Sequence, residues 1–227
     1  MTFINMFGNK FKLLLLVFAI VSFSSCKESN TVTDIDGNVY KTIKIGNQVW
    51  MAENLKVTKY RNGNPILQIK DNRAWSSTKD GAYCSYNNDA SNVNTYGQLY
   101  NWYALSDPRG LAPEGWHIPT NEEIAKLIGY LKGDTVAAGK MKVAGTEHWL
   151  RPNAGAGNES GFSALPGGYR FGDDGTFHTA GSNGYWWSTT SSYEMFSWTP
   201  RLYNLFADVT RDGKYMAYGL SVRCVKD

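Results

Sequence analysis

Long apolar runs are missing from this chain of 227 residues. The longest is the nine-residue stretch Leu13-Leu-Leu-Leu-Val-Phe-Ala-Ile-Val21. A bilayer-spanning helix takes roughly 20 apolar residues, so none is predicted. Charge of one sign is scarce too: 23 Lys and Arg face 20 Asp and Glu, with no basic block. That argues against a dedicated nucleic-acid binder. Only 19% of residues are charged while 14% are aromatic, which argues against disorder. His117, His148 and His178 are scattered without metal-ligand spacing, and no His-Glu-x-x-His, nucleophile elbow or phosphate loop occurs.

What is present begins with an address. Lys10 and Lys12 precede the nine-residue apolar run, the layout of a secretory signal. It ends Phe23-Ser-Ser-Cys26, similar to a bacterial lipobox, so residues 1–25 are expected to be a lipoprotein signal peptide and Cys26 the acylated mature terminus. Cleavage by an ordinary signal peptidase, leaving Cys26 free, is the alternative. Residues 26–33 then form a short polar tether, and residues 34–227 a single domain. The expected place is the outer membrane, lipid-anchored, facing the periplasm or the outside; two or more acyl chains anchor stably. The signal holds two lysines and no acid, so 23 less two leaves 21 basic residues against 20 acidic, a net charge near +1. With Cys26 acylated, Cys84 and Cys224 remain, and an even pair in an exported chain reads as a disulfide. Such a 140-residue loop would contribute about 2–4 kcal/mol. A nucleophilic thiol is the competing role.

Turn residues punctuate the start of the domain. Asp36-Gly37 and Gly46-Asn47 bracket an alternating run at 39–45, with a second at 48–51, which predicts hairpins rather than a calcium loop at Asp34. Leu99, Trp102 and Tyr103 predict a helix over 98–105. Thr120-x-x-Glu123 is a capping box, followed by Ile124, Leu127, Ile128 and Leu131 at helical spacing and closed by Lys132-Gly133. A weaker helix is predicted over 136–141. The glycine-rich stretch from Asn153 to Gly161 reads as a loop. Short strands are predicted over 162–165, 169–171, 185–189, 196–205, 209–211 and 220–225, with turns at Asp173-Asp-Gly175 and Asp212-Gly213. The fold class is therefore α+β, with the first strand returning to the last.

Seven ordered motifs carry a resemblance. They are Trp50-Met-Ala-Glu-Asn-Leu55, Tyr83-Cys-Ser-Tyr-Asn-Asn-Asp89, Tyr96-Gly-Gln-Leu-Tyr-Asn-Trp102, Gly115-Trp-His-Ile-Pro-Thr-Asn-Glu-Glu123, Gly161-Phe-Ser-Ala-Leu-Pro-Gly-Gly168, Tyr185-Trp-Trp-Ser188 and Gly219-Leu-Ser-Val-Arg-Cys-Val-Lys-Asp227. Together they resemble the Fibrobacter succinogenes major paralogous domain, a family of exported bacterial proteins, over residues 34–227. The resemblance implies the C-type lectin-like fold shared with formylglycine-generating enzymes: two main helices, a mixed antiparallel sheet and adjacent termini. It also implies a Cys84–Cys224 pair. The thiol or copper chemistry of those enzymes is not carried over, since Cys224 is the only thiol past Cys84.

Asn87, Asn88 and Asp89 are weak candidates for oxygen ligation of calcium, but the sugar-lectin calcium signatures are absent and a turn or polar network is the expected role; no cofactor is assigned. His117 is expected to be a packing or capping-loop residue. Residues 184–218 carry ten aromatics, and the fold implied by the resemblance holds ligands there. Tyr185, Trp186 and Trp187 are expected in the core. The ligand-binding candidates are Tyr193, Glu194, Met195, Trp198, Arg201, Tyr203, Asn204, Arg211, Lys214 and Tyr215, because Tyr, Trp and Arg anchor recognition surfaces. The expected function is a membrane-anchored lectin-like module binding a glycan or protein at the envelope, not an enzyme. A cysteine-modifying or carbohydrate-active enzyme and an assembly subunit of a surface structure are the alternatives.

Overall fold

The computed structural model describes residues 30–193 and 195–227. The expected signal peptide, Cys26 and the first residues of the tether lie outside the described residues. Strands β1 (Thr31–Thr33) and β2 (Val39–Ile45) form the first hairpin. Asp34 folds the chain back by accepting the Asp36 and Asn38 amides on one carboxylate oxygen, at 3.0 and 2.9 Å. The turn reading at Asp34 holds, and the tether is shorter than expected because residues 31–33 pair as an edge strand. Strand β3 (Gln48–Met51) pairs with β2 as its turn residues predict.

The next stretch runs β4 (Leu67–Gln68), α1 (Asn72–Ser77), β5 (Ala82–Cys84), α2 (Val93–Tyr96), β6 (Leu99–Tyr100) and α3 (Trp102–Leu105). The helix expected over 98–105 is corrected to half its length. Leu99 and Tyr100 are strand residues opposite Cys84 and Tyr83. Asn101 interrupts them: its side-chain oxygen accepts the Ala82 amide at 2.9 Å and the Ala104 amide at 3.1 Å, joining β5 to a one-turn helix. After β7 (Trp116–His117) come α4 (Asn121–Tyr130) and α5 (Asp134–Met141). The capping box is present at both ends: Thr120 Oγ1 accepts the Glu123 amide and Glu123 Oε2 accepts the Thr120 amide. Ile124, Leu127, Ile128 and Leu131 are buried as their spacing predicts.

The remainder is β8 (Tyr169–Arg170), β9 (Phe177–His178), β10 (Asn183–Tyr185), β11 (Ser191–Tyr193), β12 (Phe196–Tyr203), β13 (Val209–Tyr215) and β14 (Val225–Lys226). The chain is thus α+β, mostly strand with few helices. No strand forms over 162–165; Ala164 makes a single bridge to Lys142. The turn expected at Asp212-Gly213 is overturned, because both residues lie within β13 opposite Thr199 and Trp198. The main sheet has the order β1-β2-β3-β14-β7, so the described ends share one sheet, although β14 pairs with β3 rather than with the first strand. A second sheet holds β10, β12, β11 and β13. No helix among the described residues is long and apolar enough to cross a membrane.

The expected disulfide is corrected. Cys84 and Cys224 are free, buried thiols. Cys84 sits in a small cluster with Trp75, Ala82 and Leu99, whereas Cys224 sits in the main cluster with Tyr40, Met51 and Trp187. Different sheets carry them, β5–β6 for one and the run into β14 for the other. Burial pushes the Cys84 thiol up to about 12 and raises that of Cys224 as well, so neither supplies a thiolate at neutral pH.

Candidate functional site

The candidate residues on β12 and β13 separate by strand alternation onto two faces. Cross-strand register pairs Phe196 with Tyr215, Trp198 with Gly213, Pro200 with Arg211 and Leu202 with Val209. Leu202 and Val209 pack into the core beneath α4 and α5. Arg211 Nη2 lies 3.0 Å from Asp134 of α5, a surface ion pair that ties sheet to helix. Gly213 gives Trp198 no cross-strand side chain, and Trp198 stays 36% exposed. Phe196 and Tyr215 stack obliquely with centroids 5.9 Å apart, and Met195 is exposed beside them.

The opposite face is built differently. Asp212 Oδ2 lies 3.7 Å from both Arg201 Nη1 and Lys214 Nζ. Lys214 Nζ also stands 5.2 Å from the ring centre of Tyr185 and 5.8 Å from that of Tyr218. Tyr169 completes the cluster, edge-on to Tyr185 at 5.3 Å and stacked on Tyr218 at 5.5 Å. His178 and Phe171 close one side, and Arg201 lies 5.4 Å from the Tyr203 ring. Burial holds the Tyr185 and Tyr218 hydroxyls up to about 12, so both remain protonated donors. Arg201 Nε and Thr210 Oγ1, opposite one another across the strands, are enclosed and carry no hydrogen bond. The result is a tyrosine cluster ringed by two cations and one carboxylate, with Tyr185 buried in the core as the sequence predicts and Tyr169 and Tyr218 partly buried against it.

The structure thus brings Arg201, Tyr203 and Lys214 together and sends Trp198, Arg211 and Tyr215 to the other side. Asn204 belongs to neither: it is buried, donating to the Leu150 and Arg151 carbonyls at 3.1 and 2.9 Å. Tyr193 contributes backbone at the end of β11, and Glu194 lies outside the described residues. The residues missed from the sequence are Tyr169 and Tyr218, with His178; the alternation Tyr169-x-Phe171 ahead of the Asp173 turn is the signal that points to the first. Asn87–Asp89 is the expected turn, with Asn87 and Asn88 at positive φ and Asp89 Oδ1 capping the Ser91 amide. No group of three side chains suited to a metal occurs among the described residues.

A family model for the Fibrobacter succinogenes major domain matches residues 43–226. The chain belongs to that family. No curated protein and no solved structure matches it. In this major-domain protein the motif segments converge on Asn54, whose side-chain oxygen accepts Arg223 Nη2 at 2.7 Å and Trp186 Nε1 at 2.9 Å. Its amide donates to the Tyr96 carbonyl and to Ser221 Oγ. Arg223 also donates to the Phe162 carbonyl and lies 4.2 Å from that ring. Five of the seven motif segments are therefore joined by one buried amide and one buried guanidinium, which makes their shared role architectural.

Proposed function

We propose that this major-domain protein is a lectin-like binding module, held at the outer membrane by an acylated Cys26, that recognises a glycan through the Tyr169–Tyr218 face. The observation that carries the reading is the pair of partly exposed rings, Tyr169 and Tyr218, stacked on one another over buried Tyr185 with Lys214 and Arg201 at their edge. Tyrosine rings offer the flat apolar surface on which a pyranose C–H face packs, and the protonated phenols donate to its hydroxyls. Asp212, partly exposed between Arg201 and Lys214, accepts from hydroxyls. The C-type lectin-like assignment is supported by the capping-box helix α4 and by the described ends sharing one sheet.

A glycan array followed by calorimetry on the purified protein tests this. Binding should fall at least tenfold in Tyr218→Ala and in Lys214→Ala and stay unchanged in Trp198→Ala, which lies on the other face. A protein partner captured at Trp198 instead, with no glycan bound, would sink the reading.

A further inference from the structure

A groove whose lining shares no residue with the tyrosine face lies between the β2–β3 turn, the end of α4 and α5. Its volume is about 490 Å³, within the range of ligand sites. Three lysines line it, Lys44, Lys132 and Lys140, against one acidic residue, Glu159, whose carboxylate is 3.9 Å from the Lys140 ammonium. Tyr130 forms a wall. The residue is 61% exposed, yet its ring packs on the turn: a Cβ on Gly46 would sit 2.9 Å from it, so only glycine lets the turn approach the ring this closely. Gly46 itself has φ +61, so the turn needs glycine twice over.

Lys132 supplies the independent observation. It follows the last turn of α4 with φ +83, the left-handed region where helix ends favour glycine. A lysine there is strained, and Gly133 beside it also has positive φ. The strained backbone places a lysine side chain in the groove's lining where a relaxed glycine would place none.

We propose that this groove binds an anionic sugar residue, a carboxylated or phosphorylated pyranose. The excess of lysines meets the acid group, the exposed Tyr130 ring carries the sugar ring, and Ser160 and Glu159 meet its hydroxyls. Apart from Tyr130, no exposed large hydrophobic residue lines the groove, which disfavours insertion into lipid.

The test is calorimetry of the full chain with trigalacturonate, with maltotriose as the neutral probe. Trigalacturonate should bind, weaken at least tenfold in Lys132→Gly and in Tyr130→Ala, and weaken further as salt rises. Lys132→Gly is the discriminating variant, because relief of the left-handed strain should raise its Tm while its affinity falls. Equal affinity for maltotriose, or full trigalacturonate affinity in Lys132→Gly, would overturn the proposal. Binding to phosphatidylglycerol vesicles without binding to trigalacturonate would reassign the groove to a lipid headgroup. Tyr218→Ala, on the other face, should leave trigalacturonate binding intact, so failure of the tyrosine-face reading is read separately.

Discussion

Arg223 directs two of its nitrogens, Nε at 3.2 Å and Nη2 at 2.7 Å, onto the single side-chain oxygen of Asn54. Among the described residues no carboxylate hydrogen-bonds this guanidinium, so a neutral amide and the Phe162 carbonyl satisfy a fully buried charge. Removing Asn54 leaves Arg223 Nε and Nη2 and the Trp186 indole N–H without an acceptor, with only Nη1 still held by the Phe162 carbonyl. Asn54→Ala should therefore lower unfolding free energy by about 3 kcal/mol in urea melts. Stability within about 1 kcal/mol of the parent would show that water replaces the amide at no cost.

His117 gives a pH signature. Burial acts to lower its pKa, but hydrogen bonds to Asp227 at 2.6 Å and Glu123 at 2.8 Å outweigh this and raise it. A histidine whose pKa is raised on folding contributes stability that is full below its unfolded value, about 6.5, and is lost as pH rises through the folded value. The stability difference between the parent and His117→Gln should shrink between pH 5.5 and pH 8.5. The group is partly exposed, so the effect stays under about 1 kcal/mol. A difference that grows with pH would contradict the assignment.

Local signals were legible where one physical rule acted alone. Thr120 and Glu123 announced α4, and the turn residues announced β2 and β3. Residues serving two elements were not. Asn101 caps α3 and pins β5 at once, which cut the helix read from Leu99 and Trp102. Asp212-Gly213 has turn chemistry, but seven cross-strand pairs between β12 and β13 override it. The candidate face was half legible: Arg201, Tyr203 and Lys214 were named, and alternation along β12 alone sets Arg201 and Tyr203 apart from Trp198, but joining Lys214 and Asp212 to them needs the β12–β13 register. Tyr169 and Tyr218 meet through tertiary folding across nearly 50 residues, which no local pattern encodes. Lys142 was silent altogether; it is buried and donates to three carbonyls, of Ala154, Tyr203 and Phe206.

The two free thiols should resist modification in the native state. Cys84 and Cys224 are buried and their pKa values are raised by burial, so both access and thiolate fraction are low. Mass spectrometry after iodoacetamide at pH 8 should show neither alkylated in buffer and both alkylated in guanidinium without prior reduction. A pair that alkylates only after a reductant would restore the disulfide.

Two glycines in neighbouring helices should respond with opposite sign to the same substitution. Gly129 lies in α4, and a Cβ there meets nothing within 4 Å. Gly129→Ala should raise stability by about 0.5–1 kcal/mol, since alanine restricts the unfolded chain and favours helix. Gly139 lies in α5, where a Cβ would stand 2.5 Å from the Gly155 carbonyl oxygen. The glycine-rich loop approaches the helix closely there, and the Gly157 amide donates to the Gly139 carbonyl at 2.9 Å. Backbone cannot move aside as a flexible side chain does, so Gly139→Ala should cost about 1–3 kcal/mol despite its better helix propensity. Parallel thermal melts decide it: if both variants gain stability, the contact between loop and helix is looser than this packing requires.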